Sequence, residues 1–374
     1  MLAGFSTPAG TARYRDRFPQ LKEAGHFRQS AHVPGIHELW LSSVGIGTYL
    51  GDPTDEADRS YTDAIATAVR SGINVLDTAI NYRHQRSERN LGAALKTLVE
   101  SGEFSRDEVL VCSKAGYLPF DTDMPTDAVG YLRKEYLASG IADAGEIVGG
   151  SHCMTPGYLS NQLERSRRNT GLDTIDVFYL HNPETQLGFV PRDVFNDRLR
   201  KAFEYLEGAA KSKKIQWYGA ATWNGFRSNP SDRAHLNLEQ MVAIAREVAG
   251  DKHHFRFAQL PFNLGMLEAY AYGNQIRNGE AGSLLVQAKE LGVAVVASGT
   301  LSQGNLVHGL PPELKRLLGA ETDAAAAIQF VRSATNLTTA LVGMGDPEHV
   351  RENLRVAAIK PMEQHSWESM FSRK

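Results

Sequence analysis

The sequence predicts a closed (β/α)8 TIM barrel, and three observations carry that prediction. Eight short runs rich in β-branched and apolar residues recur along the chain, segments of helical periodicity lie between them, and no second domain's worth of chain is left over. Nearly continuous apolar strands alternating with helices mean a parallel sheet covered by helices. A count of eight favours closure over an open doubly wound sheet.

The strand candidates are, in order, SVGIGTY near residue 43, INVLDTA at 73, EVLVCSK at 108, TIDVFYL at 174, KIQWYGA at 214, FRFAQL at 255, VAVVAS at 293 and TTALVGM at 338. The helical segments between and after them, from DEADRSYTDAIATAVRSG to DPEHVRENLRVAA, often open on Ser, Asp or Asn or close on Gly, as capped helices do. Residues 1–374 are expected to form a single domain, with the barrel over about 43–358 and a tail over about 359–374. Two parts stand outside the repeat. Residues 1 to about 42 precede the first unit, and HELWLSS with SVGIGTY is expected to form a short hairpin closing the barrel bottom. Residues 115 to about 156 form a long insertion after the third strand. A loop of that length is usually functional. Its place at the C-terminal end of a strand and its aromatic residues Tyr117, Phe120, Tyr131 and Tyr136 suggest a lid or substrate wall.

Composition narrows the function. The chain has 374 residues, 42% hydrophobic, with a formal net charge of −3 and no run of five like charges. Neither a nucleic-acid groove nor a polybasic membrane anchor is expected. The apolar stretches fall short of the ~20 residues that span a bilayer, and the N-terminus lacks an apolar signal core, so a cytoplasmic protein is expected. Cys112 and Cys153 make neither a disulfide framework nor a zinc spacing, and the pairs His253–His254 and His152–Cys153 have no ligand set around them. No metal is expected. Small-molecule chemistry is the better reading.

In a barrel, reactive groups come from the C-terminal strand ends and the loops just beyond. The second strand ends in Asp77 with Tyr82 shortly after it, the third in Lys114, the fourth in His181. Side chains two apart share a strand face, so Val75 with Asp77, Cys112 with Lys114, and Tyr179 with His181 all point inward on neighbouring strands. Taken singly, each polar group has an ordinary structural explanation. Together they make a set: a buried lysine needs a carboxylate, and a cation beside a phenol lowers its pKa from ~10.

These groups sit in motifs that resemble the aldo-keto reductase superfamily: LDTAINY followed by SERNLG, VLVCSKAGY, YLHNPE and the late VGMGDPEHVRENL. The resemblance covers roughly residues 40 to 358 and is closer to the bacterial and potassium-channel β-subunit-like branches than to the aldose reductase branch. It implies a (β/α)8 barrel that reduces carbonyls with NAD(P)H, or in reverse oxidises an alcohol or sugar hemiacetal. The family's catalytic tetrad falls on Asp77, Tyr82, Lys114 and His181, with Tyr82 as proton donor. Cofactor contacts implied by the resemblance are Thr48 and Tyr49 after the first strand, then Thr222 and Gln259 at the carboxamide. They continue with the turn Ser298, Gly299, Thr300, Leu301, Gln303 and Gly304 at the pyrophosphate. In the last unit they are Gly343, Gly345, His349, Glu352 and Asn353, where the N-terminus of the helix is expected to favour phosphate.

Three positions depart from the family pattern. Ser298 stands where many members stack an aromatic ring on the nicotinamide, and Gly343 and His349 stand where a lysine and an arginine clamp the 2′-phosphate. NADP is the first expectation and NAD the alternative. The substrate class is an aldehyde, ketone or sugar, with Tyr49, Trp223, the insertion and a tail folded over the mouth through Trp367 and Phe371 as the wall. The same resemblance leaves open a cofactor-binding regulatory or scaffold subunit with little turnover. A phosphate-binding barrel lyase or isomerase would need other strand-end groups.

Overall fold

The computed structural model describes residues 1–371. Its strands, β1 (Val44–Gly47), β2 (Val75–Asp77), β3 (Leu110–Ala115), β4 (Ile175–His181), β5 (Ile215–Ala221), β6 (Phe255–Pro261), β7 (Ala294–Ser298) and β8 (Leu337–Gly343), close into one parallel barrel. The ring follows sequence order, with β8 pairing β1 to shut it. Helices α1 (Asp55–Arg70), α2 (Arg86–Glu100), α3 (Pro156–Thr170), α4 (Arg192–Lys211), α5 (Leu238–Ala249), α6 (Leu284–Leu291), α7 (Asp323–Arg332) and α8 (Pro347–Leu354) follow the strands in turn. Their ends are set locally. Thr54 and Thr322 accept the amides of Ala57 and Ala325 to start α1 and α7, and left-handed Gly171 and Gly292 stop α3 and α6.

The barrel is filled rather than hollow. Val75, Cys112, Val177, Tyr179, Phe257 and Val296 point inward and pack with Val33, Ile36, Leu39 and Leu41 from the N-terminal segment. That segment therefore plugs the bottom, as expected, but the predicted hairpin is different. Leu41–Ser42 pairs antiparallel with Phe27–Arg28, not with β1. Both sides of β1 are already taken by β8 and β2, so no hydrogen-bonding edge remains for a hairpin partner.

The other two expectations about the periphery are only partly met. The insertion is an ordered pad on the outside of the barrel: Tyr136, Cys153 and Met154 are buried with Tyr158 and Leu159 of α3, and Tyr136 Oη donates to the carbonyl of Pro119 at 2.8 Å. In the described part of the tail Ile359 lines the cavity, but Trp367 and Phe371 do not. Trp367 is fully buried against Phe330 of α7, Tyr270 and Phe371, and its Nε1 donates to the Phe330 carbonyl at 2.9 Å. A large apolar ring with one N–H finds both its burial and its acceptor there, which the cavity mouth would not supply. Among the described residues, no helix is long and apolar enough to cross a membrane.

Candidate active site

Three neighbouring strands bring Asp77, Lys114 and His181 to the C-terminal end of the barrel, in the register Asp77↔Cys112 and Lys114↔Tyr179. Lys114 Nζ bonds Asp77 Oδ1, the carbonyl of Thr78 at 2.9 Å and Tyr82 Oη at 3.2 Å. The second oxygen of Asp77 accepts from Gln259 Nε2 at 2.8 Å. Tyr82 sits between Tyr49 and His181, both meeting its ring edge-on at 5.0 and 5.7 Å. The expected tetrad is therefore assembled. Tyr82 alone comes from a loop, and the loop is unusual: Arg83, His84 and Gln85 follow it with φ of 47, 55 and 70°. Three successive non-glycine residues in the left-handed region are costly and persist only where other contacts force them. Here Arg83 grips Asp58 at 2.7 Å and Asn90 at 2.8 Å, while Gln85 Nε2 donates to the Phe120 carbonyl at 3.0 Å.

Burial dominates the electrostatics. It pushes the Tyr82 phenol above its ordinary pKa, with the Lys114 cation only partly pulling it back, which corrects the expectation of a lowered value. Burial also pulls on Lys114, but the Asp77 carboxylate overrides it and the ammonium ends up held more firmly than usual. Asp77 itself is raised by burial, against the pull of Lys114 and Gln259. His181 is driven well below the usual histidine value by burial and then by Lys114, so its ring is neutral at pH 7.

A cavity of about 1330 Å³ runs from this cluster to α8. Asp77, Tyr82 and His181 line one part, with Lys114 buried beneath. Of the expected cofactor positions, Thr48, Tyr49, Thr222, Gln259, Ser298, Gly299, Thr300, Leu301, Gln303, Gly304, Gly343, His349, Glu352 and Asn353 all line it. Gly345 does not. It faces Tyr61, whose ring a Cβ there would meet at 2.8 Å, and its carbonyl accepts from Ser60 Oγ. The N-terminus of α8 is also not the expected anion site. Asp346 caps it by accepting the Glu348 amide at 2.7 Å, so a carboxylate already neutralises that end, and the helix shows the cavity its His349, Glu352 and Asn353 face.

Two features of these walls are open to a ligand. The hydroxyls of Thr222 and Thr300 are buried without any hydrogen-bond partner, and both residues line the cavity. The turn after β7 is strained, with φ of 61° at Gly299, 48° at Ser302, 55° at Gln303 and 91° at Gly304. The amides of Ser302 and Gly304 are spent within the turn, on the carbonyls of Gly299 at 2.8 Å and Leu301 at 2.9 Å.

A family model described as "Aldo/keto reductase family" matches residues 43–309, most of the barrel. The chain belongs to the aldo/keto reductase family. Among its relatives is a D-threo-aldose 1-dehydrogenase of Pseudomonas sp, 26% identical over 351 residues, spanning 87% of this chain and 90% of that one. An L-galactose dehydrogenase of Arabidopsis thaliana is 25% identical over 87% of this chain and 86% of its own. An NADH-specific methylglyoxal reductase of Escherichia coli K12 is 28% identical over half of each chain (50% and 50%). Among solved structures, a glycerol dehydrogenase from Gluconobacter oxydans superposes with a TM-score of 0.61 at 19% identity, covering 93% of this chain and 94% of that one. An aldo-keto reductase from Klebsiella pneumoniae in complex with NADPH gives 0.59 at 18%, covering 89% and 91%. At these identities the structures speak to the fold.

The structure of this aldo/keto reductase also brings in residues that sequence reasoning did not single out. His181 Nδ1 lies 3.2 Å from Asn81 Oδ1. His152, from the insertion, holds the His181 carbonyl through Nε2 at 2.8 Å, and Gln186 and Arg198 secure it from behind. The close approach explains Gly116, where a Cβ would fall 2.3 Å from that carbonyl. Glu184, buried just past β4, accepts the amides of Trp223, Asn224 and Gly225 within 3.2 Å and so sets the loop that carries Trp223. Asn182, which lines the cavity and donates from Nδ2 to Tyr117 Oη at 3.1 Å, and Asn81 had a signal available, since each adjoins a tetrad member in sequence. His152 and Glu184 had none, because their partners are 29 to 41 residues away.

Proposed function

We propose that the chain is a nicotinamide-dependent oxidoreductase that interconverts a carbonyl and an alcohol, with Tyr82 exchanging the proton. The observation that carries this reading is Lys114 Nζ bonding both Asp77 and, at 3.2 Å, the Tyr82 hydroxyl at the edge of the cavity. A reduced nicotinamide bound along the cavity would be the source of the hydride for the carbonyl carbon. Tyr82, kept protonated at neutral pH by its burial, gives its Oη proton to the carbonyl oxygen as charge develops there. Lys114 stabilises the phenolate left behind, and Asp77 keeps Lys114 charged. His181 donates from Nε2 to the same oxygen when the Asn81 amide turns its NH2 toward Nδ1.

Gln259 and Thr222 would hold the carboxamide end, and the Ser298 to Gly304 turn the pyrophosphate. NADP is the cofactor proposed, in line with the Klebsiella pneumoniae structure, while the Escherichia coli relative is named as NADH-specific. Arg355 is the single lysine or arginine among the lining residues, so discrimination of the 2′-phosphate falls on it. The substrate proposed is a sugar or other small carbonyl. Two relatives act on aldoses by name, and the Tyr49 and Trp223 rings and the Asn81 and Asn182 amides line the same cavity, groups that together suit a hydroxyl-rich ring.

Fluorescence titration with NADPH and NADH, followed by absorbance assays on a panel of aldoses, aldehydes and ketones, tests the reading. Tyr82→Phe is expected to lower kcat by about 10² to 10⁴ and leave the cofactor Kd unchanged. Wild-type kcat in that variant would overturn the proton role, and cofactor binding without turnover on any carbonyl would favour a sensor or scaffold.

A further inference from the structure

A second cavity of about 390 Å³ opens at the opposite, N-terminal face of the barrel. It lies between the end of α4, the starts of β5 and β6, and the Pro34–Gly35 bend of the bottom plug. Its lining includes Lys211, Lys213, Lys252 and Arg256 and no aspartate or glutamate, in a chain whose net charge is −3. Neighbouring Lys201 and Lys214 pair with carboxylates, whereas none of these four has a carboxylate partner among the described residues.

Arg256 is the decisive residue. It is 6% exposed, yet among the described residues its guanidinium hydrogen-bonds only the His253 ring and the backbone carbonyls of Phe255 at 3.0 Å and Asp251 at 3.4 Å. The nearby Glu207 is already committed, accepting from Tyr218 Oη, the His254 amide and His254 Nδ1. Glu207 offsets the burial of this cation only in part and through space, so an anion hydrogen-bonded to the guanidinium lowers the remaining cost. Trp217 offers a second donor. Its Nε1 has no acceptor among the described residues and faces Gly35, where a Cβ would stand 3.2 Å away and narrow the opening.

A bland account covers only part of this. Lys211 ends α4, where a cation complements the helix dipole. Lys252 likewise ends the 3₁₀ turn Gly250–Lys252 that continues α5, whereas Arg256 lies in β6, where no helix dipole accounts for it.

We infer that this face carries a second binding site, for a small ligand bearing a phosphate or diphosphate group. The guanidinium fork and three ammonium groups match phosphate oxygens, and Trp217 and Phe5 offer apolar surface for the rest of the ligand. The site shares no lining residue with the catalytic cavity. The two lie at opposite ends of β5, where Trp217 of one and Ala221 of the other are four residues, roughly 13 Å, apart at about 3.3 Å per residue.

The test is calorimetric titration of the chain with sodium pyrophosphate at constant ionic strength, with the catalytic cavity kept occupied by NADPH. Saturable binding is expected, weakened about tenfold by Arg256→Gln. Heats no larger than those of matched sodium chloride, binding seen only when NADPH is left out, or an unchanged affinity in Arg256→Gln would each overturn the inference. Should Arg256→Gln fail to fold by circular dichroism, the exposed pair Lys211→Ala with Lys213→Ala takes its place, and the same loss is expected from it.

Discussion

Asp77 uses its two oxygens for two jobs, one on Lys114 and one on Gln259, and so ties β2 to strands on both flanks of the reacting hydroxyl. The pH dependence follows from the directions of the shifts. Tyr82 lies above the ordinary phenol value of ~10, so the protonated donor persists through neutrality and reduction should stay level until alkaline pH, then fall. Oxidation needs the phenolate, so its rate should climb with pH over the same range. His181 lies well below ~6.5 and is already neutral, so neither profile should bend there. Steady-state kcat/KM in both directions checks this, and an inflection near pH 6.5 would mean that His181 titrates in the working range. At this scale Asp77, Lys114 and His181 were legible because each interrupts an apolar strand at the same depth. The direction of the Tyr82 shift was not, since it depends on how deeply the ring is buried, and burial belongs to the packed molecule.

At the scale of elements, the insertion acts through residues near its two ends, Tyr117 and His152, rather than as a cover. Only Tyr117 of it lines the catalytic cavity, while His152 braces the end of β4 from outside. Burial holds His152 neutral, with its pKa lowered to about 4, so it serves as a fixed N–H donor. His152→Ala should reduce kcat several-fold and leave the cofactor Kd alone, and His152→Gln, which keeps an N–H, should recover part of the loss. Equal kcat in wild type and His152→Ala would reduce the residue to packing. The positions of strands and helices were readable from periodicity and caps. The hairpin of Phe27–Arg28 with Leu41–Ser42 was not, because short pairings carry no periodic signal and depend on which hydrogen-bonding edges remain free.

For the whole molecule, eight units in order sufficed to predict closure, and the comparison with known folds agrees. The course of the tail was open in the sequence because an aromatic cluster near a terminus suits a mouth or a flank equally well. The structure seats Trp367 on the flank, so Trp367→Ala should cost about 3–5 kcal/mol of stability, read as a lower Tm, while kcat at a permissive temperature is retained. Loss of kcat without loss of Tm would return the tail to the mouth.

Heat should expose one further difference within the site. Asp77, Lys114 and His181 ride on barrel strands, whereas Tyr82 hangs on a turn whose left-handed backbone is held by Arg83, Gln85 and their partners. Segments of that kind open locally before the fold does. On warming, turnover should therefore fade while the barrel is still intact and still binds its cofactor, and cooling should restore it: the enzyme would be switched off reversibly, some degrees short of melting.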